Sequence, residues 1–402
     1  MQENARDLAT ILTVEAGKPL VESLGEVAYA ASFFEWFSEE AKRTNGETIP
    51  ATAGNRRLLT VKQPVGVCGL ITPWNFPAAM ITRKVGPCFA SGSSAVVKPA
   101  EDTPLTALAI AELGVRAGVP AGLLSVLPTP RSEAAGVGEA LCKHPVVKKI
   151  SFTGSTAVGV TLGEWCASGV KRTSFELGGN APFIIFDDAD LHTAVAALMA
   201  SKFRNSGQTC VCANRVMVQS GIHDALVAAL TEQVRAIHLG HGLNEGTTQG
   251  PLINAAGRSK VEQHVRDAVE KGGILVTGGE SPGGNFFQPT ILVGATRDMD
   301  CFREETFGPL CAIASFDTEE EVLSLANDCD VGLAGYFCSR DLGRVWRVAE
   351  ALEVGMVGVN EGIISSEVAP FGGVKMSGIG REGGRDGIGE YLETKFIVMG
   401  VN

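Results

Sequence analysis

Short, almost wholly apolar runs alternate with longer amphipathic segments along the first half of this chain. Four of these runs predict buried strands, at Val65–Ile71, Ser94–Lys98, Lys149–Phe152 and Ala181–Phe186. Strands that are apolar on both faces are typical of parallel sheets covered by helices on each side. The pattern therefore predicts a doubly wound α/β fold.

The amphipathic segments between the runs predict helices at Thr103–Ala117, Ser155–Ser168 and Asp190–Arg204. We expect Asp188 or Asp190 to cap the third helix, because a carboxylate at that point can accept the free N–H groups of the first turn. Helices in these places would cover the faces of the predicted parallel sheet.

The same alternation returns beyond residue 212. It predicts helices near His223–Ile237 and Ala255–Lys271, and strands near Gly332–Cys338 and Val354–Val359. We therefore expect a second doubly wound α/β lobe.

Two further segments suggest contacts between subunits. Thr44–Lys62 is polar and extended, with a turn expected at Gly54–Asn55, and it predicts a β-arm. The final segment, Tyr391–Asn402, predicts a strand. Because an arm and a terminal strand both offer unpaired edges, we expect a homo-oligomer, a dimer or a tetramer.

Composition excludes several classes of protein. The 402 residues carry 34 basic and 45 acidic side chains, and the formal charge of −11 argues against nucleic acid or an anionic membrane as a partner. No apolar run reaches the ~18 residues of a spanning helix. Ten cysteines are scattered without metal-ligand spacing, so we expect neither a disulfide scaffold nor a bound metal.

The segment Ser206–Cys212 is the strongest local candidate for chemistry. Cys210 lies in a glycine-bearing loop just beyond a predicted helix. A cysteine is intrinsically very nucleophilic even though little of it is thiolate at pH 7. The alternative is a buried structural cysteine, which is the commoner role of an isolated cysteine.

Two other loops carry candidate polar groups. Glu176 follows an apolar run and precedes two glycines, so it is either a base in a cleft or a solvated charge at the end of a strand. Asn75 lies between Pro73 and Pro77, where a rigid loop could aim its amide at an oxyanion. A simple packed turn explains that loop equally well.

Nucleotide binding has weaker signals. Ile150–Ser155 runs from a strand end into a helix N-terminus, which is where a phosphate binds favourably. The dinucleotide fingerprint with three glycines is absent. Lys98 and Glu101, at another strand end, could bind ribose hydroxyls or could be solvated charges.

These motifs occur in the order and approximate spacing of the aldehyde dehydrogenase superfamily, which the chain resembles over essentially its whole length. The matching motifs are Thr72–Asn75, Lys98–Glu101, Phe152–Ser155, Glu176–Gly179, Gly207–Cys210, Glu304–Pro309 and Pro370–Gly373. Within the superfamily, the chain most resembles the succinate-semialdehyde dehydrogenases. The segments that carry this closer resemblance are Ile81–Lys84, Phe203–Asn205, Cys210–Cys212 and Glu361–Ser366.

The resemblance implies NAD-dependent oxidation of succinate semialdehyde to succinate, as in 4-aminobutyrate degradation. Cys210 would attack the aldehyde carbon, while the Asn75 amide and the Cys210 backbone N–H hold the oxyanion. Hydride transfer would leave a thioester on Cys210, and Glu176 would activate the water that hydrolyses it.

The resemblance also assigns the cofactor and substrate residues. Residues expected to contact NAD are Thr72, Pro73, Trp74, Lys98, Ala100, Glu101, Gly154, Ser155, Glu176, Leu177, Glu305 and Phe307. The Glu101 carboxylate would disfavour NADP by repelling its 2′-phosphate. Arg83 and Arg204 would bind the distal carboxylate of the substrate, with Ser365 or Ser366 as the third donor.

Several alternatives stay open on the sequence. Either arginine could merely pair with a neighbouring acid, and another carboxylated aldehyde such as glutarate semialdehyde could be the substrate, since a methylene is worth only ~1–3 kcal/mol. The chain could also be a shortened, non-catalytic form. Cys212, two residues from Cys210, could form a regulatory disulfide with it if the loop rearranges.

Domain limits follow from the same resemblance. We expect an NAD-binding domain over residues 1–178, N-terminally incomplete and including an oligomerisation arm at about 44–64. A catalytic domain would occupy residues 179–376, and residues 377–402 would return to the first lobe and end in an oligomerisation strand. We expect the mitochondrial matrix if the missing part carries a leader, and the cytoplasm otherwise.

Overall fold

A computed structural model describes residues 1–401, in which helices cover two parallel sheets. The helices are α1 (Ala5–Ala16), α2 (Leu20–Glu40), α3 (Ala79–Ala90), α4 (Pro104–Arg116), α5 (Ala134–Lys143), α6 (Thr156–Ala167), α7 (Leu191–Lys202), α8 (His223–Arg235), α9 (Ala255–Glu270), α10 (Asp300–Arg303), α11 (Glu319–Asn327), α12 (Leu342–Ala351) and α13 (Asp386–Gly389).

The strands alternate with these helices along most of the chain, as the sequence predicts. They are β1 (Thr48–Ile49), β2 (Arg56–Pro64), β3 (Val67–Ile71), β4 (Ser94–Lys98), β5 (Leu124–Val126), β6 (Val147–Thr153), β7 (Arg172–Glu176), β8 (Ala181–Ile185), β9 (Ala213–Gln219), β10 (Ile274–Thr277), β11 (Thr290–Val293), β12 (Leu310–Phe316), β13 (Val331–Gly332), β14 (Ala334–Cys338), β15 (Met356–Val359), β16 (Val374–Lys375), β17 (Gly378–Ile379) and β18 (Leu392–Gly400).

The first sheet has the strand order β17-β7-β6-β3-β4-β5 and is parallel except at β17. The second has the order β10-β11-β12-β9-β8-β14-β15 and is parallel except at β10. Both lie in the doubly wound α/β class that the apolar runs predict. The strand β17, near the end of the chain, joins the first sheet, which supports the proposed return of residues 377–402 to that lobe.

The predicted arm folds back within its own chain. β1 and β18 both pair with β2 in an antiparallel sheet of order β1-β2-β18, and Leu392 opposite Pro64 begins the long β18 register. The other edge of β18 is unpaired in this sheet, and Phe396 and Val398 on it are more than half exposed.

Around α7 one expectation needs correction, the end of the helix, and one alternative is resolved, the residue that caps it. The helix ends at Lys202 rather than Arg204, because the residues after Phe203 turn into a 3₁₀ segment with left-handed backbone. Asp190 is the cap, accepting the Thr193 N–H at 2.8 Å. Asp188 is not, because its carboxylate accepts from the loop after β14 instead.

The core of each lobe lies between its sheet and its helices. In the second lobe, Phe183, Val216 and Ile313 from three adjacent strands are fully buried together. Within residues 1–401, the structure has no helix long and apolar enough to cross a membrane.

Candidate active site

The candidate site lies where the two parallel sheets meet. The carboxyl ends of β3, β6 and β7 supply Asn75, Thr153 and Glu176, as expected for parallel α/β sheets. The second sheet contributes from its amino ends, with Cys210 just before β9 and Glu305 just before β12. This opposed arrangement brings together groups that are far apart in the chain.

Two cavities meet at the candidate nucleophile. The larger has a volume of about 220 Å³ and is lined by Pro73, Trp74, Asn75, Thr153, Gly154, Ser155, Glu176, Leu177, Gly178, Cys210, Glu305 and Phe307. The smaller measures about 20 Å³ and is lined by Tyr29, Phe76, Met80, Arg83, Arg204, Thr209, Cys210, Val211, Ser365 and Phe371. Cys210 therefore faces most of the predicted cofactor residues on one side and the predicted substrate residues on the other.

The loop that carries Cys210 has an unusual backbone. Asn205, Ser206 and Gly207 are consecutive left-handed residues, with φ of 51°, 56° and 72°. A side chain at Gly207 would place its Cβ 2.2 Å from the Gly308 carbonyl oxygen, so glycine is required there. Backbone strain of this kind persists only where contacts with the surrounding structure hold the loop in its conformation.

Hydrogen bonds hold this strained loop in place. The Asn205 backbone N–H donates to Glu22 at 3.1 Å, and its side-chain amide donates to the Asn75 carbonyl at 3.0 Å. The Asn75 side-chain amide in turn donates to the Gln208 carbonyl at 3.1 Å. Since an amide has two N–H groups, Asn75 retains a second donor for a substrate oxygen.

Behind Asn75 lies a buried ion pair that sequence reasoning missed. Lys18 Nζ is 2.5 Å from Glu26 Oε2 and donates to the Asn75 carbonyl at 2.8 Å. Glu26 also accepts the Ala78 N–H at 2.8 Å, at the start of α3. The pair therefore fixes both the Asn75 loop and the helix that carries Arg83.

The Cys210 thiol holds its proton in the resting site. Burial, and next the negative charge of Glu305, raise the pKa of Cys210 to about 12. Because the thiolate is the nucleophile, a nearby base must remove this proton.

Glu176 has the environment of such a base. Its side chain is 2% exposed, and Oε2 has no hydrogen-bond partner within residues 1–401. Burial, and next the charge of Glu382, raise its pKa well above the ordinary value, although Arg83 and Lys84 oppose the shift. A carboxylate with a raised pKa can accept a proton near neutral pH. The interpretation of Glu176 as a solvated strand-end charge is wrong for this structure.

The larger cavity brings together several of the residues predicted to contact the cofactor. Ser155 precedes α6, a helix of twelve residues whose N-terminus favours a phosphate. The Thr153 hydroxyl is buried and has no partner among the described residues. Glu305 accepts the Gly179 N–H at 3.3 Å, and burial raises the pKa of Glu305 to about 7. Phe307 lies edge-on to Trp74, with ring centroids 5.5 Å apart.

The remaining predicted cofactor residues lie outside that cavity lining, at the adjacent carboxyl ends of β3 and β4. The Thr72 N–H donates to the Lys98 carbonyl at 3.1 Å, and Lys98 Nζ lies 2.6 Å from Glu101 Oε1. Burial opposes ionisation of Glu101, but the Lys98 hydrogen bond and the charges of Lys98 and Arg131 hold its pKa below the ordinary value. Ala100 is buried beside them. Glu101 is therefore a stable anion.

Both predicted substrate arginines line the smaller cavity. Arg83 is 1% exposed, its Nε is 3.2 Å from Glu382 Oε2, and its guanidinium lies 4.2 Å from the Phe371 ring centroid. Its Nη2 nevertheless has no hydrogen-bond partner in the described part of the chain, nor has Nε of Arg204, which lies over the Phe76 ring. Arg83 therefore does pair with a neighbouring acid, Glu382, which is the alternative that the sequence left open. The pair still leaves the Arg83 Nη2 donor without a partner in the described part of the chain.

Comparison with known proteins agrees with this geometry. The aldehyde dehydrogenase family model matches residues 1–397. The chain belongs to the aldehyde dehydrogenase family. It is 59% identical to the mitochondrial succinate-semialdehyde dehydrogenase of Homo sapiens over 403 residues, all of this chain and 75% of that protein.

Bacterial relatives of this aldehyde dehydrogenase are nearly as similar. It is 56% identical to an NADP(+) succinate-semialdehyde dehydrogenase of Escherichia coli and 55% identical to a glutarate-semialdehyde dehydrogenase of Pseudomonas putida, covering all of this chain and 83% of each. The crystal structure of succinate-semialdehyde dehydrogenase from Burkholderia pseudomallei superposes with a TM-score of 0.97 at 56% identity, over 99% of this chain and 83% of that one. The chain is therefore an oxidoreductase of a family that uses NAD(P) to oxidise small aldehydes.

The structure separates the two serines that the sequence left equivalent. Ser365 lines the smaller cavity of the aldehyde dehydrogenase, whereas the Ser366 hydroxyl donates to Glu367 at 3.4 Å. Cys212 is buried, and its thiol lies 3.2 Å from the Lys202 carbonyl oxygen, outside both cavity linings. All ten cysteines are free.

Sequence reasoning missed residues that line the smaller cavity of this aldehyde dehydrogenase. They include Tyr29 and Met80. Tyr29 lies on α2, a mainly apolar helix, and its spacing is that of an ordinary core residue. The only feature of the sequence that could have drawn attention to Tyr29 is that tyrosine is rare in this chain, which contains three.

Proposed function

We propose that this aldehyde dehydrogenase oxidises succinate semialdehyde to succinate with NAD, in 4-aminobutyrate degradation. One observation carries the proposal: Cys210 separates a cavity suited to a dinucleotide from a small cavity in which Arg83 and Arg204 hold unpartnered N–H groups. A short aldehyde with a distal carboxylate fits both requirements, since it places its carbonyl at the thiol and its charge between the arginines.

The chain's own residues account for each proton and each acyl transfer. Glu176 accepts the Cys210 proton, and the thiolate attacks the aldehyde carbon while Asn75 Nδ2 and the Cys210 N–H donate to the developing oxyanion. The larger cavity would hold NAD, which would supply the hydride acceptor needed to convert the adduct on Cys210 to a thioester. Glu176 releases the first proton to solvent and then takes a proton from the water that attacks the thioester. The Cys210 sulfur leaves as succinate forms, and Glu176 returns a proton to it.

The preference for NAD over NADP rests on Glu101. Its low pKa keeps a negative charge at the end of β4, where the family resemblance places the adenosine ribose. A 2′-phosphate would be repelled by this carboxylate and would also compete with it for Lys98.

The smaller cavity also bears on the choice of aldehyde. At about 20 Å³ it favours short, unbranched chains, because a branched or aromatic aldehyde would have to displace Phe76 or Phe371. Met80 is the flexible side chain that can yield to a chain of four carbons. Glutarate semialdehyde is the second candidate, supported by the Pseudomonas putida relative.

A substrate panel tests the proposal. NADH formation is measured for succinate semialdehyde, glutarate semialdehyde and butanal, which matches the first in length but lacks the carboxylate, with NAD and then NADP. We expect kcat/KM to be highest for succinate semialdehyde with NAD and at least a hundredfold lower for butanal. Equal rates with butanal would refute the carboxylate site, and no NADH with any aldehyde would favour a non-catalytic form.

We also propose that oxidation can join Cys210 to Cys212, although their separate surroundings require the loop to rearrange. Two thiols and one peroxide molecule would give one disulfide and two molecules of water. Peroxide should inactivate the enzyme and dithiothreitol should restore it. If Cys212→Ala is inactivated and restored in the same way, the switch is not this pair.

Assembly and location are further proposals. The unpaired edge of β18, with exposed Phe396 and Val398, supports a homo-oligomer, and light scattering should give the mass of a dimer or a tetramer.

The mammalian relatives are named mitochondrial, which supports the mitochondrial matrix as the location of this protein, with the cytoplasm as the alternative. Fractionation of the source cells tests this.

A further inference from the structure

Tyr29 presents a buried hydroxyl to the small cavity beside Cys210. Its ring packs edge-on against Phe33, with centroids 4.9 Å apart, so the side chain is firmly placed on α2. The hydroxyl oxygen is inaccessible to solvent and has no hydrogen-bond partner within residues 1–401. A buried hydroxyl without a partner is costly, and native proteins rarely keep one without a purpose.

The neighbours of this hydroxyl indicate what it could bind. Arg83 and Arg204 line the same cavity, and each has a buried N–H group without a partner. Three unpartnered donors on three different elements thus converge on one small space. Donors without an acceptor call for an anion, and a carboxylate offers about four acceptor positions on its two oxygens.

The hydroxyl acts here as a donor and not as an acceptor. Burial raises the pKa of Tyr29 above its ordinary value, despite the opposing charges of Arg83 and Arg204, so the phenol keeps its proton. A neutral donor adds a hydrogen bond without adding a third positive charge to a site that already contains two guanidinium groups. Ser365 lines the same cavity and can supply a fourth donor.

We propose that the Tyr29 hydroxyl donates a hydrogen bond to the distal carboxylate of the aldehyde substrate, and so sets specificity together with Arg83 and Arg204. The inference rests on the proposed function, since it presupposes a carboxylated aldehyde. Tyr29 touches the far end of the substrate and takes no part in the chemistry at Cys210. Its removal therefore weakens binding of the charged substrate and leaves the reaction of an uncharged one intact.

The variant Tyr29→Phe tests the proposal, because it removes only the hydroxyl and keeps the ring packing on Phe33. We expect kcat/KM for succinate semialdehyde to fall about tenfold to a hundredfold, mainly through KM, as for a hydrogen bond to a charged group. For butanal, kcat/KM should change less than about threefold. Calorimetry should show the Kd of the product succinate rising by the same factor as KM.

Stability gives an independent measurement. Because the variant deletes a buried group that lacks a partner, its thermal midpoint should equal or exceed that of the parent. The matched control is Tyr391→Phe, which removes another buried hydroxyl from a residue that lines neither cavity. It should leave kcat/KM for both aldehydes unchanged.

The possible failures are distinguishable. If the parent enzyme itself does not prefer succinate semialdehyde to butanal, the proposed function fails before any variant is made. If the parent does prefer it, and Tyr29→Phe loses nothing, or loses equally on both aldehydes, only the assignment of Tyr29 is overturned. A lower thermal midpoint would likewise overturn it, because the hydroxyl would then have a structural partner.

Discussion

Replacing Arg204 with methionine is the most direct test of how this enzyme recognises its substrate. Methionine has a similar length and can still pack on Phe76, whose ring centroid lies 5.5 Å from the guanidinium. It lacks the charge and the unpartnered Nε. The variant therefore removes the interaction with a carboxylate and preserves most of the wall of the cavity.

The structure sets the size of the expected effect. Truncating one partner of a buried, hydrogen-bonded charge pair costs about 2–5 kcal/mol. At ~1.4 kcal/mol per factor of ten, kcat/KM for succinate semialdehyde should fall between about 30-fold and several thousandfold. Arg83, which Glu382 already partly neutralises, would then hold the carboxylate alone. Arg204→Lys keeps the positive charge but loses the planar guanidinium, so its kcat/KM for succinate semialdehyde should lie between the values of the parent and of Arg204→Met.

The assay follows NADH absorbance with saturating NAD, using succinate semialdehyde and butanal in parallel on the parent and both variants. Butanal has no carboxylate to lose, so its kcat/KM should stay within a few-fold of the parent value. The reasoning would be refuted if Arg204→Met slowed both aldehydes by the same factor, since the arginine would then support the fold or the Cys210 loop.

The remaining predictions concern the base, the cofactor and the framework. Glu176→Gln should lower the steady-state rate at least a hundredfold and should also slow the first equivalent of NADH seen by stopped flow, because Glu176 both takes the Cys210 proton and activates the water that hydrolyses the thioester. In the parent, the raised pKa of Glu176 means that the working base is lost as pH falls through a value well above 4.5, and full turnover without such a limb would contradict this role. Glu101→Gln should raise the NADP:NAD ratio of kcat/KM about fivefold, from ~1 kcal/mol of relieved repulsion, and an unchanged ratio would exclude Glu101 as the discriminator. Lys18→Met should lower the free energy of unfolding by about 3–5 kcal/mol in urea, because Glu26 is left buried and unpaired, whereas the double variant with Glu26→Gln should recover part of the loss. A single variant as stable as the parent would contradict the account of this ion pair.

The class of fold was predictable from local pattern. Apolar runs such as Ala181–Phe186 and Lys149–Phe152 form central strands within two residues of the predicted limits. Burial on both faces leaves such strands few polar positions, so their signal is strong. The limits near Arg204 were less predictable, because the left-handed turn at Asn205 and Ser206 depends on hydrogen bonds to Glu22 and Asn75 from other elements.

Part of the candidate site could also be predicted from the sequence. Cys210, Glu176 and Asn75 stand in short motifs whose loops have a local reason for glycine or proline, and a resemblance to the aldehyde dehydrogenases identifies them. Tyr29 and Lys18 have no such motif. Each lies in or beside a helix whose composition is ordinary, and each reaches the site through residues that are distant in the chain.

The sequence by itself determined which segments become strands and helices, because burial and hydrogen bonding of the backbone act over a few residues at a time. It also determined the candidate nucleophile and base through their motifs. Only the tertiary structure decided that the carboxyl ends of the first sheet face the amino ends of the second, that Ser365 rather than Ser366 lines the small cavity, and that Tyr29 joins the two arginines there. These facts depend on packing between distant elements, where direction and distance are set by the whole fold and leave no periodic trace in the chain.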